Sequence, residues 1–352
     1  MLLYSIANSK HQVDLKEAVL HSLPPDGSLY MPTNIPQLPS SFWSRFRGQS
    51  LQANAFEIAK AMLQGAIPDD ALKNIVDKTV DFPVPLVQLD EQSYVLELFH
   101  GPSLAFKDFG ARFLAGLMSY FTQETNEKLV ILVATSGDTG GAVAAGFYNT
   151  PGVDVVILYP KGKVSDFQES QLTTWGGNIH AIALDGAFDD CQALVKKAFK
   201  DKELNESIRF SSANSINIGR LIPQMFYYFE ALRQLPEVAF KGNEIIVCVP
   251  SGNFGNLTAG VFAKHMGLPI QRFIAANNDN DTFLEFLRSG RFLPKPSVPT
   301  YSNAMDVGNP SNFIRLYDYF GKHFDSGDPD CSTWNMMQSQ IRGYSFTNQD
   351  TL

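Results

Sequence analysis

Apolar residues after residue 94 fall into short, nearly continuous runs that are separated by amphipathic stretches. Five of these runs have the length and the Val and Ile content of buried strands: residues 128–136, 153–160, 180–184, 243–251 and 271–276. Apolar residues recur at helical spacing in the intervening stretches DDCQALVKKAFKD (189–201) and IGRLIPQMFYYFEALRQL (218–235). Apolar strands that alternate with helices predict an α/β fold whose parallel sheets are covered by helices on both faces.

The first eighty-odd residues follow a different pattern. Turn signals such as PPDG (24–27) and FPVPLV (82–87) flank FEIAKAMLQGAI (56–67), which has helical periodicity. We therefore expect a separate N-terminal module of turns and short helices. The module contains no recognisable catalytic constellation.

Composition narrows the class of protein. At 352 residues and 39.0 kDa the chain exceeds the length at which one core usually keeps growing, so we expect at least two domains. The net charge of -8 argues against a nucleic-acid partner. No run approaches the roughly 18 apolar residues of a membrane helix, and the N-terminus lacks signal-peptide features. The distant Cys191, Cys248 and Cys331 predict reduced thiols and no metal site in a cytoplasmic protein.

Two glycine-rich turns directly follow predicted strands. ATSGDTGGA (134–142) and VPSGNFGNLTAG (249–260) each lead from a strand into a helix. A strand, a glycine turn and a helix N-terminus bring backbone N–H groups together and favour a negatively charged ligand. Neither turn has the lysine of a Walker motif or the spacing of a dinucleotide fingerprint. Each turn alone is equally compatible with a tight turn needed only for packing.

A lysine stands in the otherwise apolar stretch HGPSLAFKDFG (100–110). Lys107 is either a surface charge or an amine kept in a partly dry pocket for chemistry. A pyridoxal phosphate enzyme needs a lysine amine and a cradle for the cofactor phosphate, and an amino-acid substrate needs a second cradle for its carboxylate. Lys107 and the two glycine-rich turns together fit this chemistry.

The same three stretches resemble the signature sequences of the threonine synthases, which are fold-type II pyridoxal phosphate enzymes. SNAMDVGNPSN (302–312) and DGSLYMP (26–32) are similar to two further stretches of the bacterial and fungal branch of that family. The resemblance extends from about residue 1 to residue 320 and keeps the family's order. It implies a fold like that of the tryptophan synthase β subunit, with an additional N-terminal module.

The resemblance also implies a domain layout. Residues 1–90 would form the N-terminal module, and residues 91–325 a cofactor-binding region of two subdomains with the cofactor between them. Residues 326–352 would begin a C-terminal region that in the family carries a Ser or Thr facing the pyridine nitrogen. Asp350 has the pattern of a helix N-cap with no helix after it, so we expect the sequence to be truncated.

By the same resemblance, Lys107 is the Schiff-base lysine and the main proton shuttle. A lysine acts as a base only when its amine is neutral, so we expect its pKa to be lowered by apolar neighbours. These neighbours are Leu104, Ala105, Phe106 and Phe109. Asp138 would lie beside the 3′-oxygen of the cofactor, although it is also placed to cap a helix.

The remaining site residues implied by the resemblance bind anionic groups. The cofactor phosphate would be held by Ser251, Gly252, Asn253, Phe254, Gly255 and Asn256. The substrate carboxylate would be held by Thr135, Ser136, Gly137 and Thr139. A phosphate on the substrate would be held by Asn214, Ser215 and Arg220.

Several of these residues have alternative interpretations. Asn214 is also placed to cap the following helix, and Arg220 to face solvent. Lys161 and Lys163 lie either beside the leaving phosphate or in an exposed loop. We interpret His100 as a structural residue beside the cofactor rather than as an acid or base.

The function implied by the resemblance is the last step of threonine biosynthesis. O-phospho-L-homoserine and water would give L-threonine and phosphate by γ-elimination followed by β-addition of water. Three alternatives remain: a dehydratase-like or other fold-type II lyase, a catalytically impaired relative that binds a phosphorylated metabolite, and a nucleotide-binding phosphotransferase. The sequence leaves open whether the protein is a monomer or a homodimer.

Overall fold

A computed structural model of the chain describes residues 1–123, 128–135, 137–240, 244–323 and 332–351. These residues form two compact units, Met1–Gln234 and Leu235–Leu352. Across the described ranges, none of the helices is both long and apolar enough to cross a membrane.

The first part of unit Met1–Gln234 combines a small antiparallel sheet with four helices. Its elements are β1 (Leu2–Ser5), β2 (Gln12–Asp14), α1 (Leu15–His21), β3 (Tyr30–Pro32), α2 (Ser40–Trp43), α3 (Leu51–Leu63) and α4 (Asp69–Thr79). The strands are ordered β2-β1-β3 and pair antiparallel. The helix predicted at 56–67 is α3, which ends because Gln64 adopts a left-handed backbone conformation.

The DGSLYMP stretch (26–32) ties this small sheet together. The Asp26 carboxylate accepts hydrogen bonds from the Ser5 hydroxyl on β1 and from the Ser28 backbone N–H. The hydrogen bonds from Ser5 and Ser28 lower the pKa of Asp26. This stretch therefore fixes a turn against β1.

The rest of the first unit alternates strands and helices, as the sequence predicts. Its elements are β4 (Leu86–Gln88), β5 (Tyr94–Leu96), α5 (Lys107–Gln123), β6 (Leu129–Ala134), α6 (Asp138–Phe147), β7 (Val153–Pro160), α7 (Asp166–Thr173), β8 (Ile179–Leu184), α8 (Phe188–Lys200), α9 (Lys202–Ser207), β9 (Arg209–Ser211), α10 (Ile218–Leu221) and α11 (Met225–Gln234). Strands β4 and β5 form an antiparallel pair. The order β8-β7-β6-β9 is parallel throughout.

One face of β6 and β7 is fully buried and the other is partly covered, which explains their nearly continuous apolar sequences. On one face Leu129, Ile131, Val155 and Ile157 are inaccessible to solvent. On the other face Leu132 and Leu158 pack with Cys191 and Val195 of α8. Because no strand face is exposed here, polar residues do not alternate with apolar ones.

Unit Leu235–Leu352 contains a second parallel sheet, ordered β10-β11-β12. Its elements are β10 (Ile246–Pro250), α12 (Gly255–His265), β11 (Arg272–Asn277), α13 (Thr282–Ser289), α14 (Phe313–His323), α15 (Thr333–Gln340), β12 (Ile341–Ser345) and α16 (Asn348–Thr351). The two parallel sheets and their helices confirm the predicted fold class. Both glycine-rich turns follow the carboxyl end of a parallel strand, the position at which ligands bind in such sheets.

The prediction that Asp350 is a helix N-cap is wrong. Helix α16 contains Asp350, and the Thr347 hydroxyl accepts a hydrogen bond from the Asp350 backbone N–H. The Asp350 carboxylate in turn accepts hydrogen bonds from the Thr347 N–H and hydroxyl, which lower its pKa. The two residues form a capping box one turn earlier than the prediction placed the cap.

Candidate active site

Lys107 is the first residue of α5 and follows a tight turn. The Leu104 N–H donates to Gly101 O at 3.0 Å, and Leu104 has a positive φ of 57°. The Asp108 carboxylate is buried and accepts hydrogen bonds from the Ser103 N–H at 3.1 Å and the Ser103 hydroxyl at 2.6 Å. These contacts fix the turn so that only 14% of the Lys107 side chain is exposed.

The Lys107 amine is largely shielded from water, and it is influenced by the negative charge of Asp138 and the positive charge of Arg220. Burial lowers its pKa below the ordinary 10.5, Asp138 opposes this effect, and Arg220 adds to it. The Lys107 Nζ lies 3.5 Å from Asp138 Oδ2 and 4.9 Å from the centre of the Phe106 ring. The lowered pKa agrees with the sequence-based expectation.

The four apolar neighbours expected to exclude water from the Lys107 amine differ in their burial. Phe109 is inaccessible to solvent, and Ala105 and Phe106 are half-buried. Leu104 is 55% exposed, because its left-handed turn directs the side chain outward, so it contributes little. Tyr227 packs against the same stretch: its hydroxyl donates to Phe106 O at 2.7 Å, and its ring stacks on Phe109.

The turn after β6 is built around the Thr135 hydroxyl. This oxygen accepts hydrogen bonds from the Gly137 N–H at 3.0 Å and the Gly140 N–H at 2.9 Å. Gly137 has a φ of 141°, which a side chain would rarely permit. Thr139 follows in the first turn of α6 and is half-buried. Ser136, the other residue expected here, lies outside the described residues.

Asp138 begins α6, but it does not cap it. The residue at the N-cap is Gly137, and no side chain caps this helix end. Asp138 instead directs its two oxygens at Lys107 and at Gln168, whose Nε2 donates to Asp138 Oδ1 at 3.1 Å. The helix-cap interpretation of Asp138 is therefore wrong.

Gln168 is a site residue that sequence reasoning missed. Its Oε1 accepts from the Ser165 N–H at 3.2 Å in a capping box at the start of α7, which leaves Nε2 for Asp138. A Cβ on Gly137 would lie 2.3 Å from Gln168 Nε2, so a side chain there would push the Gln168 amide away, and the positive φ of Gly137 independently favours glycine. The available signal was the S-x-x-Q pattern at 165–168, which indicates a helix start and not a contact with Asp138.

Arg220 is buried in the same unit as Lys107, so the alternative interpretation that it faces solvent is wrong. Only 2% of the residue is exposed, and Nη1 donates to Ala213 O. Within the described part of the chain, its buried Nε has no hydrogen-bond partner. Burial lowers the pKa of Arg220 to about 10, so the guanidinium remains a cation at neutral pH. A buried cation with an unsatisfied donor is suited to an anionic ligand.

The residues before Arg220 are positioned by Asn217. The Asn217 side chain accepts from the Gly219 N–H and caps α10, so the alternative that Asn214 is the cap is wrong. The Asn214 carbonyl accepts from the Asn217 N–H, and the Asn214 and Ser215 residues are half-buried.

The other basic candidates lie at the surface. Lys161 and Lys163 are exposed in the turn after β7. His100 is also exposed, and its Nε2 lies 2.7 Å from Glu97 Oε2 while its ring stacks on Phe99. These positions support the exposed-loop interpretation of the lysines and a structural interpretation of His100.

In the second unit, the turn after β10 presents the N-terminus of α12. Phe254 precedes this helix in a left-handed conformation, with φ 60° and ψ 11°, and its buried ring packs on Phe283 at 4.4 Å. Asn256 Nδ2 donates to Pro250 O at 2.7 Å and closes the turn. The first N–H groups of α12 have no acceptors within the helix, and the helix dipole favours an anion beside them.

Ser251 anchors the same turn to the sheet. Its N–H donates to Ala276 O, and its hydroxyl donates to Val249 O, both at 2.8 Å. Both the N–H and the hydroxyl of Ser251 are thus used within the protein, so Ser251 holds the turn in place and does not itself present a donor to a ligand. A Cβ on Gly252 would lie 2.9 Å from Met305 Cα, so this position also requires glycine.

The described residues therefore supply what pyridoxal phosphate requires. One unit contains a buried lysine with a lowered pKa, and the other a strand-turn-helix cradle for a phosphate. A family model described as pyridoxal-phosphate dependent enzyme matches residues 79–337, and one described as threonine synthase N terminus matches residues 3–80. The fold, the residues described in each unit and these family matches define a pyridoxal-phosphate-dependent enzyme.

Individual relatives narrow this class. The chain is 47% identical to a threonine synthase of Serratia marcescens over 320 residues, which are 91% of this chain and 74% of the relative. A threonine synthase structure from Escherichia coli has a TM-score of 0.89 and 42% identity, covering 99% of this chain and 78% of that one. The PLP-bound threonine synthase of Brucella melitensis has a TM-score of 0.91 and 36% identity, covering 99% and 78%. The chain belongs to the threonine synthase family.

Membership confirms the predicted cofactor and type of enzyme. The cofactor is pyridoxal 5′-phosphate, and the enzyme is a carbon-oxygen lyase of threonine biosynthesis that acts on a small molecule. The roles of the individual site residues and the domain limits remain predictions.

Proposed function

We propose that this chain converts O-phospho-L-homoserine and water into L-threonine and phosphate, and that it does so in the cytoplasm. The observation that carries the substrate assignment is the buried Arg220, whose charge acts on the Lys107 amine within the same unit. An amino-acid substrate with a phosphate group needs both a reactive amine and a buried cation. A dehydratase acting on serine or threonine would need no such cation.

Lys107 binds the cofactor and moves protons in this proposal. Bound pyridoxal phosphate supplies an electron sink that makes the hydrogens on the substrate's α- and β-carbons acidic. Because burial lowers the pKa of Lys107, its amine loses its proton more readily than an exposed lysine and is suited to act as a base. The same Nζ then returns a proton when the product forms. Asp138, 3.5 Å away, orients the amine.

The anionic groups of substrate and cofactor are assigned to the remaining site residues. Arg220, with Asn214 and Ser215, holds the substrate phosphate. The turn formed by Thr135, Ser136, Gly137 and Thr139 holds the substrate carboxylate. Within it the Thr135 N–H donates to Leu158 O and the Gly137 N–H to the Thr135 hydroxyl, so these two N–H groups shape the turn rather than bind the carboxylate. The cofactor phosphate is assigned to the turn of Ser251, Gly252, Asn253, Phe254, Gly255 and Asn256. Because the Ser251 N–H donates to Ala276 O, Ser251 anchors this turn, and the N–H groups after it hold the phosphate with the α12 dipole.

The domain assignment and assembly are part of the proposal. We assign residues 1–90 to an N-terminal module and residues 91–325 to the catalytic region, with residues 326–352 as the start of a C-terminal region. Both a monomer and a homodimer are compatible with the proposed chemistry.

Release of phosphate from O-phospho-L-homoserine tests this proposal. The chain loaded with pyridoxal phosphate should release phosphate and form threonine in equal amounts. Lys107→Ala should lower the rate by at least about 10³-fold, because the base and the cofactor attachment are both lost. Lys163→Ala, which removes an exposed lysine, is the matched control and should retain activity. Formation of a 2-oxo acid without threonine would instead favour a dehydratase.

A further inference from the structure

The 302–312 segment, which resembles a family stretch but has no assigned role, lies against the turn of residues 251–256. The Cα of Met305 leaves room for no more than a hydrogen at Gly252. The Ser311 N–H donates to the Asn253 side-chain oxygen, and the Asn312 N–H donates to Asn253 O at 3.3 Å. The segment therefore contacts two consecutive residues of the turn: Gly252 through Met305, and Asn253 through Ser311 and Asn312.

Asp306 fixes this segment to the end of β11. Its Oδ1 accepts hydrogen bonds from Thr300 Oγ1 at 2.7 Å, Asn278 Nδ2 at 2.8 Å and Asn280 Nδ2 at 3.3 Å. Its Oδ2 accepts from the Thr300 N–H at 3.0 Å. Asn278 and Asn280 are buried and lie within three residues of the end of β11 at Asn277. One carboxylate thus joins three residues to the middle of the segment.

The turn needs support from outside because its backbone is strained. Phe254 is left-handed without being a glycine, and such a conformation persists only when the surrounding structure fixes it. The 302–312 segment supplies that support on the side of Gly252 and Asn253. N–H groups held in place before a phosphate arrives bind it more tightly than groups that must first be ordered.

We propose that Asp306 is a positioning residue for the phosphate of the cofactor. It holds the 302–312 segment, and the segment holds Gly252 and Asn253 in the conformation that receives the phosphate. This inference rests on the proposed assignment of residues 251–256 to the cofactor phosphate. It concerns cofactor affinity and not the chemical step.

The test compares two ligands that differ only in the phosphate. Apoprotein is titrated with pyridoxal phosphate and with pyridoxal, and the dissociation constants are read from the absorbance of the bound cofactor. Asp306→Asn keeps the size of the side chain but removes its charge and replaces one of its two acceptor oxygens by an N–H donor, so at least the Thr300 N–H or the three donors on Oδ1 lose their acceptor. We expect affinity for pyridoxal phosphate to fall by at least about tenfold, and affinity for pyridoxal to change less than about twofold.

Two further variants separate positioning from general destabilisation. Thr300→Val removes one hydroxyl donor to Asp306 and keeps the backbone N–H donor. We therefore expect a smaller fall in affinity for pyridoxal phosphate, again with little change in affinity for pyridoxal. Met337→Ala removes a buried side chain on α15 of the same unit and should change the affinities for pyridoxal phosphate and pyridoxal by the same factor. Gly308, held separately by Thr282 and Ser297, anchors the segment in all three variants.

The possible outcomes distinguish this inference from the proposed function. Equal losses for both ligands in Asp306→Asn, or no loss for either, would overturn the positioning role and leave the proposed function intact. If the unaltered chain bound pyridoxal phosphate no more tightly than pyridoxal, the phosphate-binding assignment itself would be wrong. A selective loss in both Asp306→Asn and Thr300→Val supports the inference.

Discussion

The two glycine-rich turns share the letters SGxxG, but they have different backbones. After β6, the helix begins at Asp138, two residues after the serine of the motif. After β10, the helix begins at Gly255, four residues after the corresponding serine. The difference arises because the residue before the last glycine is helical Thr139 in one turn and left-handed Phe254 in the other.

This difference changes which side chains can meet a ligand. In the first turn, Asp138 lies within the helix and directs a carboxylate at Lys107. In the second turn, the corresponding residue Asn253 precedes the helix and is bonded to Ser311 of the 302–312 segment. In the proposed function, the first turn thus contributes a charged side chain beside Lys107, while the second contributes backbone donors to the cofactor phosphate. The shared motif predicts an anion site but does not predict this division of roles.

The largest stability difference should come from Phe254. Phe254→Ala removes a buried ring and keeps the left-handed strain, so we expect a loss of about 3–5 kcal/mol in the free energy of unfolding. Phe254→Gly removes the same ring but relieves the strain, and it should be about 1 kcal/mol more stable than the alanine variant. Chemical denaturation of both variants measures the difference. Equal stabilities would show that the left-handed backbone is not strained.

Thr135 and Ser251 offer a matched comparison of one hydroxyl in each turn. Thr135→Val leaves two buried N–H groups without an acceptor and should cost about 1–3 kcal/mol. Ser251→Ala removes only a donor to Val249 O, so about 1 kcal/mol or less is expected. Thermal unfolding with and without cofactor gives both values. A larger loss for Ser251→Ala would contradict the view that the first turn is held from within.

The smallest effect should be a shift in the pH dependence of enzyme activity when Gln168 is replaced. Asp138 raises the pKa of Lys107, and Gln168 holds Asp138 in place. In Gln168→Met the carboxylate is released, so the pKa of Lys107 should fall further. Activity that requires the neutral amine rises as pH passes this pKa, and the rise should therefore move to lower pH. The profile of kcat/KM against pH measures the shift.

Ser165→Ala is the control for the Gln168 variant. It removes the hydroxyl that caps α7 but keeps the amide that contacts Asp138. Its pH profile should remain unchanged, although α7 loses stability. Equal shifts in both variants would attribute the effect to the helix and not to the contact with Asp138.

Local sequence patterns predicted much of the fold. Strand β7 (Val153–Pro160) has the predicted limits, because a parallel strand buried on both faces has a continuous apolar sequence. Strand β9 was missed because it has only three residues and includes Arg209. Strand β12 was missed because IRGYS has exposed residues at Arg342 and Tyr344 and a glycine between them, which periodicity does not distinguish from a loop.

The candidate site likewise contains residues that local sequence motifs indicate and contacts that only the structure shows. Lys107 and the two turns are local motifs, and the sequence alone indicates them. The contact of Gln168 with Asp138 joins residues 30 positions apart, and the contacts of Asp306 with Asn278 join residues 28 positions apart. The burial of Arg220 likewise depends on how helices pack. Such contacts leave no periodic pattern in a single sequence, so only the structure identifies them.

The central claim is that Lys107 is the amine that holds the cofactor. Borohydride reduction of the chain loaded with pyridoxal phosphate would fix the cofactor to its lysine, and peptide mass spectrometry would then identify that residue. We expect the label on the peptide containing Lys107 and its loss in Lys107→Ala. A label on Lys161, Lys163 or another lysine, with Lys107 unmodified, would contradict the claim.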